Sequence, residues 1–291
     1  MPGIKELKTR IKSIGSTRKI TRAMQMVSAA KMRKTQNMVL QSRSYAELAW
    51  ELIENIANTG NFANPLVKTY PEAKKVGVLL LTTNKGLVGS LNLNLQNKIK
   101  ETLNTDLLAE IITYGKKGHQ MAVRLNKNIS ADFTKLEKTV SVEDVYPIAE
   151  FIKQLYISGE YQKILIIYNQ FISTISQEAR IKQLLPFKQE FKQTLASEEF
   201  GPKAGETEYL FEPEPDTVLN HLLPRIIESQ IYETILESNA SEQSARMVMM
   251  KNATEAAGDL INDLTLTFNQ LRQGKITTEL AEITAGRIAL E

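Results

Sequence analysis

Residues 4–58 read IKELKTRIKSIGSTRKITRAMQMVSAAKMRKTQNMVLQSRSYAELAWELIENIAN, and the first helix-ending signals, Thr59-Gly60 and Pro65, come after them. The first apolar side chains in the stretch are spaced alternately three and four residues apart, which is the spacing of a coiled-coil seam. They are Ile4, Leu7, Ile11 and Ile14. The stretch therefore predicts one helix of roughly 80 Å, which needs a partner to cover its apolar side.

The apolar pattern of this helix changes phase after Gly15, and the change predicts a stutter in the heptads. Beyond that point the pattern continues at Ile20, Met24 and Val27, and later at Tyr45, Leu48 and Leu52. These side chains are expected to belong to the same seam.

A second long helix is predicted from Glu214-Pro215-Asp216 almost to the end of the chain, about 110 Å in length. Its expected seam residues are Ile261, Leu264, Phe268 and Leu271, followed by Ile276, Leu280 and Ile283 after a slip at Gly274. Because this helix is longer than the first, its excess length must extend beyond the pair or contact something else.

The charges of the two helices are opposite. The first 34 residues hold ten cations against the single acid Glu6, whereas residues 225–291 hold six basic and ten acidic residues. Ion pairs that flank a seam help to select the partner helix and its orientation. The charges therefore favour pairing of the two ends of the chain.

Between the helices the sequence has the pattern of an α/β domain. Apolar runs of strand length lie at 76–81, 109–114 and 163–168, and helical patterns lie at 91–103 and 142–157. Alternating strands and helices predict a mostly parallel sheet that is covered on both faces. The stretch 188–214, rich in charge, Gly and Pro, is predicted to be a loop or a hairpin.

These patterns divide the chain into three parts: a coiled-coil helix at 1–60, a Rossmann-like α/β domain at 72–214 and a second coiled-coil helix at 215–291. The composition, 42 % apolar and 24 % charged residues, is that of a folded protein. No apolar stretch approaches the ~18 residues of a membrane span. The chain has no cysteine, which excludes disulfides, thiolate nucleophiles and Cys-based zinc sites.

The residues of this chain predict no catalytic, cofactor or metal site. The loop 84–90, NKGLVGS, stands where a phosphate-binding loop would stand, but it matches neither phosphate-loop pattern, so a structural turn is expected. His119 and His221 lie far apart, with no carboxylate at ligand spacing. No Ser-His-Asp arrangement and no pair of catalytic carboxylates is visible.

Two other classes of protein are compatible with parts of the sequence. The N-terminal cations and Lys116-Lys117 would suit a coiled-coil protein that binds nucleic acid, although the aromatic residues of single-strand binders are missing. The α/β pattern would suit a nucleotide-binding enzyme. The basic N-terminus also resembles a mitochondrial transit peptide, but it continues without interruption into a much longer helix.

Four segments resemble, in family order, the gamma subunit of F-type ATP synthase. The segment 20–33, ITRAMQMVSAAKMR, resembles the N-terminal signature of that family, and 241–247, SEQSARM, with 276–283, ITTELAEI, resembles its C-terminal stretch. The central segment 86–92, GLVGSLN, and the later segment 208–213, EYLFEP, give further matches.

The resemblance implies a rotor without catalytic activity of its own. In such a rotor an antiparallel coiled coil rises inside a ring of alternating alpha and beta subunits, and an α/β domain at its foot rests on the membrane ring of c subunits. The rotor couples proton or sodium flow to ATP synthesis on the beta subunits. The implied partners are therefore alpha, beta, epsilon and the c-ring, with no nucleic acid and no cofactor.

The resemblance also implies which residues contact the head and couple rotation to catalysis. Met24 is expected near the contact of the first helix with the head. The residues expected to face an acidic loop of a beta subunit are Arg272, Gln273 and Thr277. Arg246 and Glu279 are expected either to brace the two helices or to contact the head. The implied location is the cytoplasmic face of the bacterial inner membrane, with mitochondria or plastids as alternatives.

Overall fold

The computed structural model describes residues 3–57, 64–103, 108–187 and 214–288. It divides into two compact units, one formed by the two ends of the chain, 1–30 with 246–291, and one formed by 31–245. Both long helices cross from one unit into the other: α1 spans Ile4–Ala57 and α5 spans Pro215–Ile288. The predicted three-part division cuts the chain elsewhere, at the ends of these helices, and stays a prediction.

In the first unit, α1 and α5 pair in opposite directions. The Thr254 hydroxyl lies 2.7 Å from Thr21 Oγ1, and a Cβ added to Gly258 would lie 3.4 Å from Arg18 Cζ. As the residue number falls from 21 to 18 in one helix, it rises from 254 to 258 in the other. The predicted antiparallel coiled coil is therefore confirmed.

The predicted stutter in α1 is wrong. Buried and half-buried residues of α1 keep one heptad phase at 7, 11, 14, 21, 25 and 28, and the position between 14 and 21 is taken by the exposed Arg18. Polar side chains fill the middle of this seam. Thr21 and Ser28 are 9 % and 3 % exposed, whereas the expected seam residues Ile20 and Val27 are 60 % and 55 % exposed. Thr21 can be buried because its hydroxyl donates to the Arg18 carbonyl, 3.0 Å away.

The α5 seam ends at Leu271. The predicted positions Ile261, Leu264, Phe268 and Leu271 are all half-buried. Extending the register of Thr21 and Thr254 places Leu271 opposite Ile4, where α1 begins. The expected continuation through Ile276, Leu280 and Ile283 is wrong, because these side chains are 47–70 % exposed and α1 offers them no partner.

The described residues of the second unit form a five-stranded sheet in the order β3-β2-β1-β4-β5. Its strands are β1 Lys75–Leu81, β2 Leu108–Tyr114, β3 Asn128–Phe133, β4 Tyr161–Phe171 and β5 Gln177–Leu185. Four strands are parallel, and β5 pairs antiparallel with β4. The predicted mostly parallel sheet is confirmed, and β3 and β5 are the strands that the sequence pattern did not reveal.

Helices cover both faces of this sheet. Their bounds are α2 Leu91–Thr102, α3 Lys116–Arg124 and α4 Val142–Ile157. One apolar cluster joins the sheet to α4, to Val39 of α1 and to the first third of α5. A second cluster on the opposite face joins the sheet to α2 and α3. The sequence predicted α2 and α4 but missed α3. The predicted loop or hairpin at 188–214 lies outside the described residues except for Glu214.

Glu110 gathers hydrogen bonds at the amino ends of the strands. Its Oε2 accepts from the Tyr161 hydroxyl at 2.6 Å and from the Ser130 hydroxyl at 2.7 Å, and Lys75 Nζ lies 3.3 Å from its Oε1. The Tyr161 hydrogen bond is the largest cause that lowers the pKa of Glu110 below its ordinary value of 4.5. The carboxylate therefore ties together strands β1 to β4.

We expect Glu110→Gln to destabilise the α/β domain by about 2 kcal/mol at pH 7, because hydrogen bonds to a charged acceptor are lost. A carboxylate with a lowered pKa stabilises the fold above its unfolded pKa and loses this contribution as the pH falls through its folded pKa. The difference between wild type and variant should therefore shrink between pH 6 and pH 3. Urea unfolding at each pH measures it, and a constant difference would contradict the charged role.

Candidate functional site

Four of the six predicted site residues lie on the part of α5 beyond the seam. Residues 272–288 extend about 25 Å past Leu271. Within this segment the side chains of 272–285 and of Arg287 are all exposed. We call residues 272–288 the unpaired end. It carries Arg272, Gln273, Thr277 and Glu279.

The unpaired end presents mixed polar and apolar side chains. The Thr277 hydroxyl donates to the Gln273 carbonyl at 2.9 Å, so its orientation is fixed by its own helix. Glu279 pairs with Lys275 at 3.5 Å, but both side chains are more than half exposed, and such pairs contribute little. Because Arg272 and Glu279 are seven residues apart, they lie on one stripe of the helix, and exposed Ile276 lies on it between them.

The other two predicted site residues lie in the paired part of the first unit. Met24 is half-buried between the exposed Ile20 and Val27, at helical spacings of four and three residues. The three side chains therefore form an apolar stripe that borders the α1–α5 seam at Met24 and is exposed at Ile20 and Val27. Arg246 is only 8 % exposed and lies inside this paired part. The structure thus separates Met24 and Arg246 from the four residues of the unpaired end.

The carboxyl end of the sheet is the other place where a function would be expected, because ligands of open α/β sheets bind there. The backbone N–H groups that begin α3 are already used by the fold. The Lys116 N–H donates to Asn84 Oδ1 at 3.2 Å and the Gly118 N–H to Thr82 Oγ1 at 2.7 Å. The Lys117 N–H donates to the Thr83 carbonyl at 3.0 Å. These donors are not available to a phosphate.

The sequence did not reveal a histidine–carboxylate pair in this domain. His119 Nδ1 lies 3.2 Å from Asp132 Oδ2. In the sequence the two residues are too far apart to match the spacing of a ligand pair. Asp132 also accepts a short hydrogen bond from the Thr113 hydroxyl. Thr113 is fully buried, so this hydroxyl acts as a structural link between β2 and β3. Within the described residues no three His, Asp or Glu side chains cluster as metal ligands would.

We expect the isolated chain neither to bind nor to hydrolyse Mg-ATP, because the donors at the start of α3 are satisfied and no phosphate-loop lysine is present. Calorimetry with up to millimolar Mg-ATP should give no binding isotherm. A dissociation constant in the micromolar range would contradict this expectation and would favour a nucleotide-binding enzyme.

Comparison with known proteins gives a consistent set of relatives. A family model described as ATP synthase matches residues 3–290. The ATP synthase gamma chain of Haemophilus influenzae (strain PittEE) is 39 % identical over 295 aligned residues, and that of Legionella pneumophila (strain Corby) is 38 % identical over 299. Both alignments cover 100 % of this chain and 100 % of the relative.

Solved structures share the fold. A chain of the central stalk and c-ring of Tetrahymena thermophila mitochondrial ATP synthase matches with a TM-score of 0.60 and 25 % identity, covering 80 % of this chain and 99 % of that one. A chain of Euglena gracilis mitochondrial ATP synthase in rotational state 3 matches with a TM-score of 0.68 and 20 % identity, covering 99 % and 94 %. In the parts of the chain that the structure describes, no helix is long and apolar enough to span a bilayer.

Proposed function

The chain belongs to the ATP synthase family, and we propose that it is the gamma subunit, the central rotor of an F-type ATP synthase. One structural observation carries the proposal: α5 continues for about 25 Å past the last seam residue with exposed side chains. An uncovered helix end of this length needs a surrounding partner, and the ring of alpha and beta subunits supplies one.

The rotor acts by population shift. The catalytic sites belong to the beta subunits, and each orientation of an asymmetric rotor favours a different conformation of each beta subunit. The unpaired end is asymmetric in this sense, because in the described part of the chain it is a single helix that carries Arg272 and Gln273 at adjacent positions. The rotor itself supplies no catalytic group.

We assign separate roles to the candidate residues. Arg272, Gln273 and Thr277 face an acidic loop of a beta subunit, because their side chains are exposed among the residues that the structure describes. Glu279 contacts the head in the same segment. The burial of Arg246 supports the bracing role for this residue instead, since a nearly inaccessible guanidinium offers little surface to a partner.

The complex determines where this chain resides and what else it contacts. It is a peripheral subunit whose α/β domain rests on the c-ring and also binds epsilon. In a bacterium this position is the cytoplasmic face of the inner membrane. Proton or sodium flow through the ring turns the rotor.

We expect Met24→Lys to impair coupling more than assembly. Met24 lies at the edge of the seam beside the exposed Ile20 and Val27, so a cation there would add a charge to the outer surface of the helix pair that the head surrounds. An added ion pair of even ~1 kcal/mol in one orientation would unbalance steps that need similar energies. The ratio of protons pumped to ATP hydrolysed should fall. Met26→Lys, which adds the same charge at an exposed position on another face, is the matched comparison.

Co-expression with alpha and beta subunits tests the proposal as a whole. A tagged chain should retain both subunits through a wash in high salt, because the central contact is enclosed by the ring. A chain that instead binds DNA in low salt and releases it in high salt would be a nucleic-acid-binding coiled-coil protein, and the rotor proposal would fail.

A further inference from the structure

The crevice that holds ligands in open α/β sheets lies where the strand order reverses, beyond the carboxyl ends of the two strands at that point. In this sheet the reversal lies between β1 and β4, because β2 and β3 follow β1 on one side and β4 lies on the other. The residues after β1 include Thr82, and Asn169 lies near the end of β4.

A segment of α5 occupies this position. The Ser241 hydroxyl donates to the Asn169 carbonyl at 3.0 Å, and the Ser244 hydroxyl donates to the Thr174 carbonyl at 2.7 Å. Both serines are completely buried. Ala245 packs with Val88 and Leu91, which belong to the loop after β1 and the start of α2.

A buried ion pair completes the contact. Lys135 Nζ lies 2.7 Å from Glu242 Oε2, and each side chain is only 8 % exposed. Lys135 Nζ also donates to the Thr82 carbonyl at 3.1 Å, and the Asn84 side chain donates to the Lys135 carbonyl at 2.8 Å. Hydrogen bonds to the loop after β1 therefore position Lys135, and the Lys135 ammonium in turn binds the Glu242 carboxylate.

We propose that residues 241–245 of α5 dock into the ligand crevice of the chain's own α/β domain, and that this socket transmits torque between domain and helix. We define the socket as Thr82, Lys135, Asn169 and Thr174 with the 241–245 segment. The mechanical part of the proposal rests on the proposed rotor function, whereas the docking itself rests on the contacts alone.

The directional character of these contacts explains why torque would pass here. The first third of α5 packs on the sheet mainly through apolar side chains such as Leu223 and Ile227. Its polar contacts there include a hydrogen bond from Asn64 to Asn220 at 2.6 Å and an ion pair between Lys153 and Glu228 at 3.3 Å. Close apolar packing also resists rotation of the helix about its own axis, but it tolerates repacking of the side chains. Hydrogen bonds and a buried ion pair with fixed geometry do fix that rotation, as buried polar groups fix register in coiled coils.

Hydrogen exchange in the purified complex tests the docking. Glu242→Gln removes the charge and leaves the Lys135 ammonium buried, and we expect amides of the peptide around 241–245 to exchange about 10- to 100-fold faster. The control is Glu137→Gln, which breaks the exposed Lys85–Glu137 pair of the same domain and should change this exchange less than about twofold. Equal exchange in both variants would overturn the docking.

A double variant tests the transmission of torque. Lys135→Met with Glu242→Leu replaces the buried pair by apolar side chains of similar size, which usually retains stability. In the double variant we expect the hydrogen-exchange rate of the peptide around 241–245 to return to within about twofold of the wild-type rate. ATP-driven proton pumping against a gradient should stay reduced roughly twofold or more. Full recovery of pumping would overturn the claim that directional bonds transmit torque. Failure of the wild-type chain to pump at all would instead refute the proposed function.

Discussion

Arg272→Ala combined with Gln273→Ala is expected to leave a complex of normal subunit content that hydrolyses ATP at least about tenfold more slowly. Both side chains are exposed on the unpaired end, beyond Leu271, so neither contributes to the α1–α5 seam. A guanidinium can form bidentate, charge-assisted hydrogen bonds to carboxylates of the head, each contributing roughly 1.5 to 3 kcal/mol. Their loss should reduce the energy differences that order the catalytic sites.

The matched control is the pair Asn269→Ala and Gln270→Ala. These residues are also exposed polar side chains of α5, but they lie within the part that pairs with α1. ATPase rate and subunit content should be measured on the purified complexes side by side. Normal turnover in the Arg272 and Gln273 variant would show that they do not couple rotation to catalysis, and loss of the complex would show that they are needed for assembly.

Gly115→Ala is expected to destabilise the α/β domain by about 2 to 4 kcal/mol. Gly115 joins β2 to α3 with a φ of +106°, a conformation that side-chain-bearing residues rarely adopt. A Cβ there would lie 2.7 Å from the Thr82 carbonyl oxygen, a backbone atom that cannot turn away. The variant therefore combines backbone strain with a steric clash.

Gly86→Ala provides the comparison for this prediction. Gly86 belongs to the loop after β1 in the same domain, and a Cβ at this position would meet nothing within 4 Å. Its melting temperature should stay close to that of wild type, whereas that of Gly115→Ala should fall by several degrees or more. Similar melting temperatures for the two variants would contradict the steric argument.

The sequence reveals those elements of the fold whose side chains are apolar and fully buried. β1 and β4 are continuous apolar runs buried on both faces, so the sequence alone identifies them. β5, QEARIKQLL, carries charges along most of its length because it is an edge strand, and this charge hides its strand character. The short helix α3 has nine residues and a glycine inside it, too little for a clear period.

The candidate site was predictable only in part. The resemblance to a family pointed to Arg272 and Gln273, and the structure adds that both side chains are exposed just beyond the last seam residue, Leu271. The polar centre of the seam could not be read from apolar spacing, because Thr21 and Ser28 fill seam positions with hydroxyl groups. The socket was not predictable either, since Lys135 and Glu242 are 107 residues apart and no local pattern connects them.

The antiparallel pairing has a consequence for biosynthesis. Thr21 meets Thr254 across a separation of 233 residues, so α1 leaves the ribosome long before its partner exists. At roughly 5–20 residues per second, the wait is on the order of 10 to 50 seconds. During that time a helix rich in cations and with an apolar side stays uncovered, and the α/β domain lacks the first third of α5, which covers one face of its sheet. The newly made chain should therefore depend on chaperones until α5 emerges.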